Sequence, residues 1–408
     1  MIPVRDSSID ETAARLRAAM VDELRASDNG IATEAVAASV ATVPRHLFAP
    51  GESLEAAYAA NKALVIKRDQ NGRAISSLSA THIQAVMLEQ AEIEPGMRIL
   101  EVGSGGYNAA LIQELVGDRG SVTSVDIDQE IVVRARACLD KAGYGHVEVV
   151  VADAEAGVAE RSPYDRIIVT AGAYDLPPAW LDQLSDRGRI VVPLRIRGLT
   201  RSIAFDRIST DGKASLISRG YRLCGFVPMQ GVGSRREQVV PLTDDAALRV
   251  DDGLWDYDVE ALRQALDSPR LERWSGAPFD LPDELELFLV TNVSQAAMLH
   301  VDEKLVKSGQ FAPSTARGVP TLIDNGSFAY RTKRANEKTG GFESGVFAHG
   351  PDAEGVAEQY IELLRRWARD HRRRSAARIQ YFPKESDMPA QFVGLIPKRH
   401  GAVEVTWP

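Results

Sequence analysis

Residues 98–111 read RILEVGSGGYNAAL, and this stretch decides the fold. Its apolar start predicts a short buried strand, and the residues from Tyr107 onward are typical of a helix. Gly103, Gly105 and Gly106 lie between the two, where glycine lets the backbone turn tightly and approach a ligand without a side-chain clash. A glycine-rich turn can also be plain geometry, so the flanking sequence has to show whether it binds anything.

Strands and helices alternate on the C-terminal side of this turn. A helical pattern covers residues 129–143, and strand-like runs occur at 120–128, 147–153, 164–172 and 188–194. This spacing predicts βαβ units and a parallel, doubly wound sheet of the Rossmann-like α/β class. We therefore expect an α/β domain at residues 90–240.

The two flanking regions differ from this pattern. Residues 1–90 predict N-terminal helices at 10–27, 32–42 and 82–91, together with a loop on the substrate side. Residues 241–408 predict an additional α+β domain that could bind peptide. In that domain we expect a helix at 355–374 and strands at 281–292, 318–333, 341–350, 378–383 and 402–408.

Composition limits the class of protein. The chain has 408 residues, 44% of them hydrophobic, and a net charge of −9, which is ordinary for a globular protein and gives no overall nucleic-acid footprint. Its two cysteines, Cys138 and Cys224, argue against a disulfide framework and against a cysteine-based zinc site. No apolar run reaches the length of a membrane span. We expect a cytoplasmic enzyme or binding protein with no metal, no membrane and no nucleic-acid partner.

Three acidic residues give the glycine turn a chemical meaning. Glu101 precedes the turn, Asp126 ends the next strand and Asp153 ends the one after that. An acid in the place of Asp126 is where a doubly wound nucleotide domain hydrogen-bonds a ribose diol. An acid beside the turn disfavours a pyrophosphate and suits a cationic ligand such as a sulfonium, and Asp153 could take an adenine amino group. The set predicts a site for S-adenosyl-L-methionine (AdoMet).

Six stretches resemble one family in order and in sequence, the protein L-isoaspartyl/D-aspartyl O-methyltransferases. They are residues 43–50 (VPRHLFAP), 57–64 (AYAANKAL), 79–111 (SATHIQAV… to AAL), 164–173 (YDRIIVTAGA), 188–194 (GRIVVPL) and 226–231 (FVPMQG). The resemblance implies a seven-stranded AdoMet-dependent methyltransferase that esterifies a side-chain or isoaspartyl carboxylate in a polypeptide, with S-adenosyl-L-homocysteine as product.

The family pattern also implies a cofactor site. The glycines would hold the amino-acid part of AdoMet, Asp126 its ribose, and Asp153 with Ala154 its adenine. The expected cofactor-binding set is Glu101, Gly103, Ser104, Gly105, Gly106, Asn108, Asp126, Ile127, Asp153 and Ala154.

On the substrate side, the match places the serine that touches the carboxylate at Ser79. A serine here is also where a helix N-cap belongs, so capping and catalysis remain alternatives for it. Thr170 and Ala171 would line the methyl-transfer pocket. The other expected substrate contacts are His46, Tyr58, Asn61, Ser77, Thr81 and His82, although His82 is also typical of a packed or solvated first-turn histidine, and Ser76 and Ser77 of loop hydroxyls.

The chain departs from the usual family pattern in three places. The glycine loop is one residue shorter than usual, Thr81 replaces a proline, and the connection at 65–78 is long and basic. The long basic connection, the SSLSATH form of residues 76–82 and the C-terminal extension resemble the actinobacterial branch that modifies ribosomally made peptides (lanthipeptides and graspetides, including the FxLD-system methyltransferases). That resemblance implies one aspartate of a modified precursor peptide as substrate, whose methyl ester collapses to a succinimide that persists or hydrolyses to isoaspartate.

Two other functions stay open. One is general repair of isoaspartyl-containing polypeptides, and the other is a catalytically silent AdoMet-fold module that binds peptide or RNA. The run of seven arginines at 365–378 is typical of a solvated helix end, and a groove for an acidic leader peptide is the alternative. The sequence does not indicate the oligomeric state.

Overall fold

In the computed structural model, the chain divides into two units. The first runs up to Leu194 and includes Thr200–Ser234, and the second comprises Arg195–Leu199 and Arg235–Pro408. The structure describes residues 7–28, 30–103, 105–210, 213–235, 237–251, 258–337, 340–384, 386 and 392–408.

The first unit contains the predicted α/β sheet. Its helices are α1 (Ser7–Ala26), α2 (Glu34–Thr42), α3 (Leu54–Ala57), α4 (Thr81–Ala91), α5 (Tyr107–Val116), α6 (Gln129–Ala142) and α7 (Pro178–Asp182). Its strands are β1 (Leu64–Arg68), β2 (Ala74–Leu78), β3 (Arg98–Val102), β4 (Ser121–Asp126), β5 (Glu148–Val151), β6 (Tyr164–Val169), β7 (Leu184–Ile196), β8 (Leu199–Thr210) and β9 (Lys213–Leu223).

Seven of these strands form one sheet in the order β9-β8-β7-β6-β3-β4-β5 in the described part of the chain. The strands from β7 to β5 pair in parallel, and β8 pairs with β9 in antiparallel fashion. The expectation of a parallel, doubly wound sheet is confirmed. Strands β8 and β9, which the sequence did not predict, extend it beyond β7.

Local sequence explains how β3 passes into α5. Strand β3 is buried from Ile99 to Val102, so its apolar run packs on both faces, as a central parallel strand does. The helix begins directly after Gly106, whose φ of 83° lies in the left-handed region that glycine favours. The glycine turn therefore reverses the chain in the short space between a buried strand and a buried helix.

Helix α4 starts differently from the expectation. Its N-cap is Ala80, and no side chain caps it. Ser79, expected at the cap, lies one residue earlier, so the capping interpretation of Ser79 is wrong. The long connection before it is not an open loop, because β1 and β2 pair as an antiparallel hairpin from Leu64 to Leu78.

The second unit is the additional α+β domain. Its strands are β10 (Gln238–Thr243), β11 (Ala246–Val250), β12 (Leu271–Pro278), β13 (Ala296–Val301), β14 (Val319–Asp324), β15 (Ser327–Asn336), β16 (Gly341–His349), β17 (Arg378–Pro383), β18 (Leu395–Pro397) and β19 (Gly401–Thr406). Its helices are α8 (Val259–Gln264), α9 (Pro282–Thr291), α10 (Glu303–Lys307) and α11 (Ala353–Arg366). An antiparallel sheet runs in the order β10-β11-β13-β14-β15-β16-β12, and β18, β19 and β17 pair next to one another.

One element of this unit was assigned to the wrong class. Residues 281–292, expected as a strand, contain helix α9, which begins at Pro282 and buries Leu285, Phe288 and Leu289 on one face. These positions follow helical spacing, but the run is so apolar that a strand fits the pattern equally well. The α11 prediction is confirmed, although the helix changes to a π-turn at Trp367–His371.

Among the helices that the structure describes, none is both long enough and apolar enough to span a bilayer.

Candidate active site

A cleft opens in the first unit at the carboxyl ends of β3, β4 and β6, where ligands bind in open α/β sheets. It encloses about 590 Å³ of empty space, part of it open to solvent. The residues that line it are Ile75, Ser76, Ser77, Val102, Gly103, Gly105, Val125, Asp126, Ile127, Asp153, Ala154, Thr170, Ala171, Val227, Pro228, Met229 and Gln230.

Gly103 makes the floor of this cleft. Its φ is 96°, and a Cβ added there would lie 2.5 Å from Thr170 Oγ1. That hydroxyl donates to the carbonyls of Val102 (3.0 Å) and Gly103 (3.1 Å). Only glycine satisfies both the backbone angle and the close approach. Ser104, the next predicted cofactor residue, lies outside the described residues.

Glu101 is held inside the protein beside the turn and does not line the cleft. Its carboxylate is fully buried and accepts hydrogen bonds from Asn108 Nδ2 (2.9 Å) and Ser124 Oγ (2.5 Å). Burial raises the pKa of Glu101 to about 7, against the lowering effect of these two bonds. Asn108, also buried, serves here to fix Glu101. Gly106, which directly precedes α5, is also absent from the residues that line the cleft.

Asp126 and Asp153 both line the cleft. The carboxylate of Asp126 accepts a hydrogen bond from Asp128 N at 2.9 Å, which holds it at the end of β4. Asp153 Oδ1 accepts from Glu155 N at 3.0 Å, and its Oδ2 accepts from Val232 N at 2.8 Å. Backbone amides thus orient both acids.

Side chains next to these acids extend the same wall. Ile127 is 39% exposed and Ala154 is buried, and both line the cleft beside Asp126 and Asp153. The pairing of an acid with an apolar neighbour recurs at two adjacent strand ends, which provides polar and apolar contacts for one ligand.

The β1–β2 hairpin borders the opening through Ile75, Ser76 and Ser77. Its basic residue Lys67 places Nζ 2.6 Å from both Asp128 Oδ2 and Glu130 Oε2, at the start of α6. On the other side, Gln230 Nε2 donates to Ile75 O at 3.2 Å. The hairpin is therefore attached at two places, and Lys67 is engaged within the first unit.

Ser79 lies two residues beyond Ser77 and is half-buried. It is not one of the residues that line the cleft. Among the described residues, its hydroxyl has no hydrogen-bond partner. Thr81 is fully buried, and its Oγ1 likewise lacks a partner there. The amide of His82 donates to Ala60 O at 3.1 Å, so backbone contacts fix the first turn of α4.

The remaining substrate-side residues do not gather at the cleft. His46 Nδ1 and Tyr58 OH are hydrogen-bonded at 2.8 Å. Burial lowers the pKa of His46 and raises that of Tyr58, so both groups are neutral at neutral pH. Asn61 is exposed and donates to Glu23 Oε1 at 3.2 Å. The structure makes His46 and Tyr58 a pair and puts Asn61 on the surface.

Sequence reasoning missed part of the cleft wall. Residues 227–230 line it, and they come from the FVPMQG stretch, which had been recognised only as a family match. The peptide of Gly172 supports this wall, because Gly172 N donates to Val227 O (2.8 Å) and Met229 N donates to Gly172 O (3.0 Å). The motif itself was therefore the signal that could have identified these residues.

The residues of the cleft fit AdoMet as a cofactor. Gly103 brings the backbone of the turn to the cleft beside Thr170, and two oriented carboxylates stand one strand apart. Such acids suit the hydroxyl and amino donors of a nucleoside. In the described part of the chain, no group of three or more histidine, cysteine or acidic side chains is arranged to hold a metal ion.

Comparisons with known proteins find relatives of this chain. The chain is 40% identical over 190 residues to a protein-L-isoaspartate O-methyltransferase of Methanococcoides burtonii, a match that covers 46% of this chain and 88% of the relative. It is 39% identical over 223 residues to protein-L-isoaspartate O-methyltransferase 2 of Archaeoglobus fulgidus, covering 54% and 94%. A solved protein-L-isoaspartate O-methyltransferase structure aligns with 90% of this chain and 96% of its own, at 22% identity and a TM-score of 0.48.

The family model named protein-L-isoaspartate(D-aspartate) O-methyltransferase matches residues 15–234, which is more than half of the 408 residues. The matched segment contains the glycine turn, both cleft acids and Ser79. The chain belongs to the protein-L-isoaspartate(D-aspartate) O-methyltransferase family of AdoMet-dependent enzymes.

Proposed function

We propose that this protein transfers a methyl group from AdoMet to one carboxylate of a polypeptide, with Ser79 as the residue that contacts that carboxylate. The observation that carries the proposal is the cleft, in which Gly103, Asp126 and Asp153 face the same space as Thr170 and Ala171. In this assignment the glycine turn holds the amino-acid part of AdoMet, Asp126 the ribose and Asp153 the adenine. Thr170 and Ala171 border the transfer pocket.

Methyl transfer to a carboxylate requires the protein mainly to position the two reactants. A carboxylate with a pKa near 4 is ionised at neutral pH, so no general base is needed. AdoMet supplies an activated methyl group when bound. The chain's own residues therefore have to bring one carboxylate oxygen within about 3–3.5 Å of the methyl carbon, in line with the bond that breaks. They also have to keep water away from that oxygen. His82 and His46 have no proton to remove in this scheme.

Ser79 suits the positioning role. Its hydroxyl does not cap α4, and in the described residues it has no other partner. A neutral hydroxyl can hold one carboxylate oxygen and leave the other free to react, whereas a strong cationic contact to the reacting oxygen would reduce its nucleophilicity. Ser76 and Ser77, on the same side of the cleft, would border the peptide backbone.

The finer proposal concerns the substrate, which we infer to be one aspartate in a ribosomally made, modified precursor peptide. In this reaction the methyl ester collapses to a succinimide, which persists or hydrolyses to isoaspartate. Three features support it. Thr81 replaces the family's proline, the connection at 65–78 folds as an attached hairpin at the opening of the cleft, and residues 235–408 lie beyond the family match.

General isoaspartyl repair is the second candidate, and the match over residues 15–234 favours it. Substrate preference separates the two. A repair enzyme methylates unrelated isoaspartyl peptides with similar kcat/KM, whereas a tailoring enzyme requires its own cyclised precursor. Methyl transfer from radiolabelled AdoMet to a panel of short isoaspartyl peptides tests this directly, and rapid turnover of the whole panel would contradict the precursor proposal.

The role of Ser79 is tested by Ser79→Ala with Ser121→Ala as the control, because Ser121 is exposed at the start of β4 and does not line the cleft. We expect Ser79→Ala to lower kcat about a hundredfold or more, with AdoMet affinity by calorimetry unchanged, and Ser121→Ala to have a small effect. Unchanged turnover in Ser79→Ala would remove the assignment. Absence of measurable AdoMet binding to the wild-type protein would instead favour a catalytically silent module.

The arginine run at 365–378 is either a solvated helix end or a groove for an acidic leader peptide. Within the second unit, Arg365 pairs with Glu358, Arg369 with Asp370 and Arg372 with Asp280. Three of its seven arginines are therefore paired with acids within this unit. A leader-peptide groove along 365–378 stays a prediction, for which the exposed Arg373, Arg374 and Arg378 are positions to reverse in charge. Salt-dependent weakening of peptide binding is the expected result, and unaltered affinity would exclude the groove.

A further inference from the structure

Arg45 is a completely buried cation that lies against the segment carrying Ser79. Its Nε donates to Ala57 O at 2.8 Å, its Nη1 to Gln84 Oε1 at 3.1 Å and its Nη2 to Ser79 O at 2.8 Å. These acceptors belong to α3, to α4 and to the residue two positions before α4. One guanidinium thus joins three segments that are distant in sequence.

Every one of these acceptors is neutral. The Tyr107 ring lies 4.8 Å from the guanidinium carbon, and no carboxylate pairs with Arg45 in the part of the chain that the structure describes. Burial lowers the pKa of Arg45, yet an arginine stays protonated in proteins. A buried charge without a counter-ion is costly, and an apolar side chain could fill the same volume at no such cost.

The contact with Ser79 connects this buried charge to the substrate side of the site. The bond to Ser79 O fixes the peptide that links Ser79 to Ala80, at a helix start that no side chain caps. With that peptide fixed, the position of Ser79 Cα is fixed as well, which restricts where the Ser79 hydroxyl can lie. The bond to Gln84 ties the same guanidinium to the helix that follows.

We infer that Arg45 is a positioning residue for the methyl transfer: it sets the direction of the Ser79 hydroxyl and places an unneutralised positive charge behind the segment that meets the anionic carboxylate. The inference rests on the proposed function of Ser79. It predicts two separable effects, because geometry acts on kcat and the charge acts on the binding of an anionic substrate, which is measured as KM.

A matched control exists at the other end of the same helix. Arg166 is also buried, and it donates to the carbonyls of Ala91 and Glu92 at the C-terminal end of α4. Replacing it removes a buried guanidinium and its carbonyl contacts far from Ser79 in sequence. A purely structural role for Arg45 would therefore make Arg45→Met and Arg166→Met behave alike.

The test compares Arg45→Met, Arg45→Lys and Arg166→Met in the full chain. Thermal unfolding, S-adenosylhomocysteine affinity by calorimetry, and kcat and KM with an isoaspartyl peptide are measured for each. We expect Arg45→Met to lower kcat/KM at least about tenfold more than Arg166→Met, with cofactor affinity unchanged. Arg45→Lys keeps the charge without the three-way geometry, so KM should stay near wild type while kcat falls. Equal kcat/KM in the two methionine variants, or a wild-type kcat in Arg45→Lys, overturns the inference.

A double-mutant cycle separates this inference from the proposal on which it depends. If Arg45 acts through the Ser79 hydroxyl, Arg45→Lys should reduce kcat much less in a Ser79→Ala background than in the wild type. Equal reductions in both backgrounds contradict the inference and leave the role of Ser79 standing. Wild-type turnover in Ser79→Ala alone contradicts the proposed function first.

Discussion

Cofactor binding should be linked to the proton of Glu101. In the ligand-free protein, burial raises the pKa of this carboxyl to about 7, and the nearby Asp126 carboxylate adds to that effect. A cationic ligand next to the glycine turn favours the ionised carboxylate. Because AdoMet carries a sulfonium charge, its binding should drive Glu101 to lose its proton, and its affinity should increase with pH.

The size of the effect follows from the pKa. With a pKa of about 7, Glu101 is about nine-tenths protonated at pH 6, half protonated at pH 7 and one-tenth protonated at pH 8. If the ionised form alone binds AdoMet well, affinity rises about tenfold between pH 6 and pH 8, which is about 1.4 kcal/mol. At pH 7 each binding event should release about half a proton.

Isothermal titration calorimetry in buffers of different ionisation enthalpy measures that release. Glu101→Gln is the matched control, because its amide has the shape of the protonated acid and can keep contacts with Asn108 and Ser124. The variant also subtracts the titration of the cofactor's own amino group, whose pKa lies near 8. S-adenosylhomocysteine, which lacks the sulfonium charge, should release fewer protons than AdoMet from the wild-type protein.

Equal proton release by the wild-type protein and Glu101→Gln would refute the reasoning. The same variant also tests how Glu101 makes the folding stability depend on pH. A carboxyl that holds its proton more tightly when folded contributes stability below its unfolded pKa near 4.5, and this contribution is lost as pH rises through about 7. Urea unfolding of wild type should show that loss, and Glu101→Gln should not.

Three other substitutions have directions that the structure determines. His349 is buried with no hydrogen-bond partner at either ring nitrogen among the described residues, and burial lowers its pKa to about 4. The free energy of unfolding of the wild type should therefore fall by up to roughly 3 kcal/mol as pH decreases from 6.5 to 4. Urea unfolding of His349→Phe should not show this part of the pH-dependent loss. Lys67→Met should speed S-adenosylhomocysteine release in stopped flow by less than about tenfold, with weaker salt dependence; an unchanged rate would mean that the hairpin does not gate release. Gly231→Ala would place a Cβ 2.2 Å from Asp153 Oδ2 at a φ of 73°, so AdoMet affinity by calorimetry should fall about tenfold or more, whereas Gly225→Ala, with no atom within 4 Å of its Cβ, should keep it.

The parallel part of the fold could be predicted because its signals are local. Its strands contain short apolar runs, with Gly103 directly after β3 and Asp126 at the end of β4, and the helices between them show clear boundaries such as the Asp128 N-cap and the Gly143 C-cap of α6. The same local reading failed at α9, where apolar residues occupy nearly every position from Leu285 to Val290. Periodicity cannot separate a buried helix from a strand there, and only packing decides.

The cofactor side of the site was likewise open to prediction from sequence, because the carboxyl ends of parallel strands meet at one edge of the sheet. Asp126 and Asp153 meet there for that reason. The substrate side depends on contacts between segments far apart in sequence. Arg45 and Gln84 are 39 residues apart, and Asn61 is held by Glu23, 38 residues away. Nothing in the local pattern indicates that Arg45 is buried or that Asn61 faces outward.

The surroundings of Ser79 break local rules in a way that stability alone does not explain. A helix normally gains about 1 kcal/mol from a side-chain cap, yet the N-cap residue of α4 is Ala80, which provides none, although serine is the adjacent residue. The Ser79 hydroxyl keeps no partner in the described chain, and a buried guanidinium without a counter-ion holds its carbonyl instead. Natural sequences concentrate such departures at functional sites. Ser79 therefore does not combine capping with catalysis. Ala80 is the N-cap of α4, and the Ser79 hydroxyl is left available for a ligand.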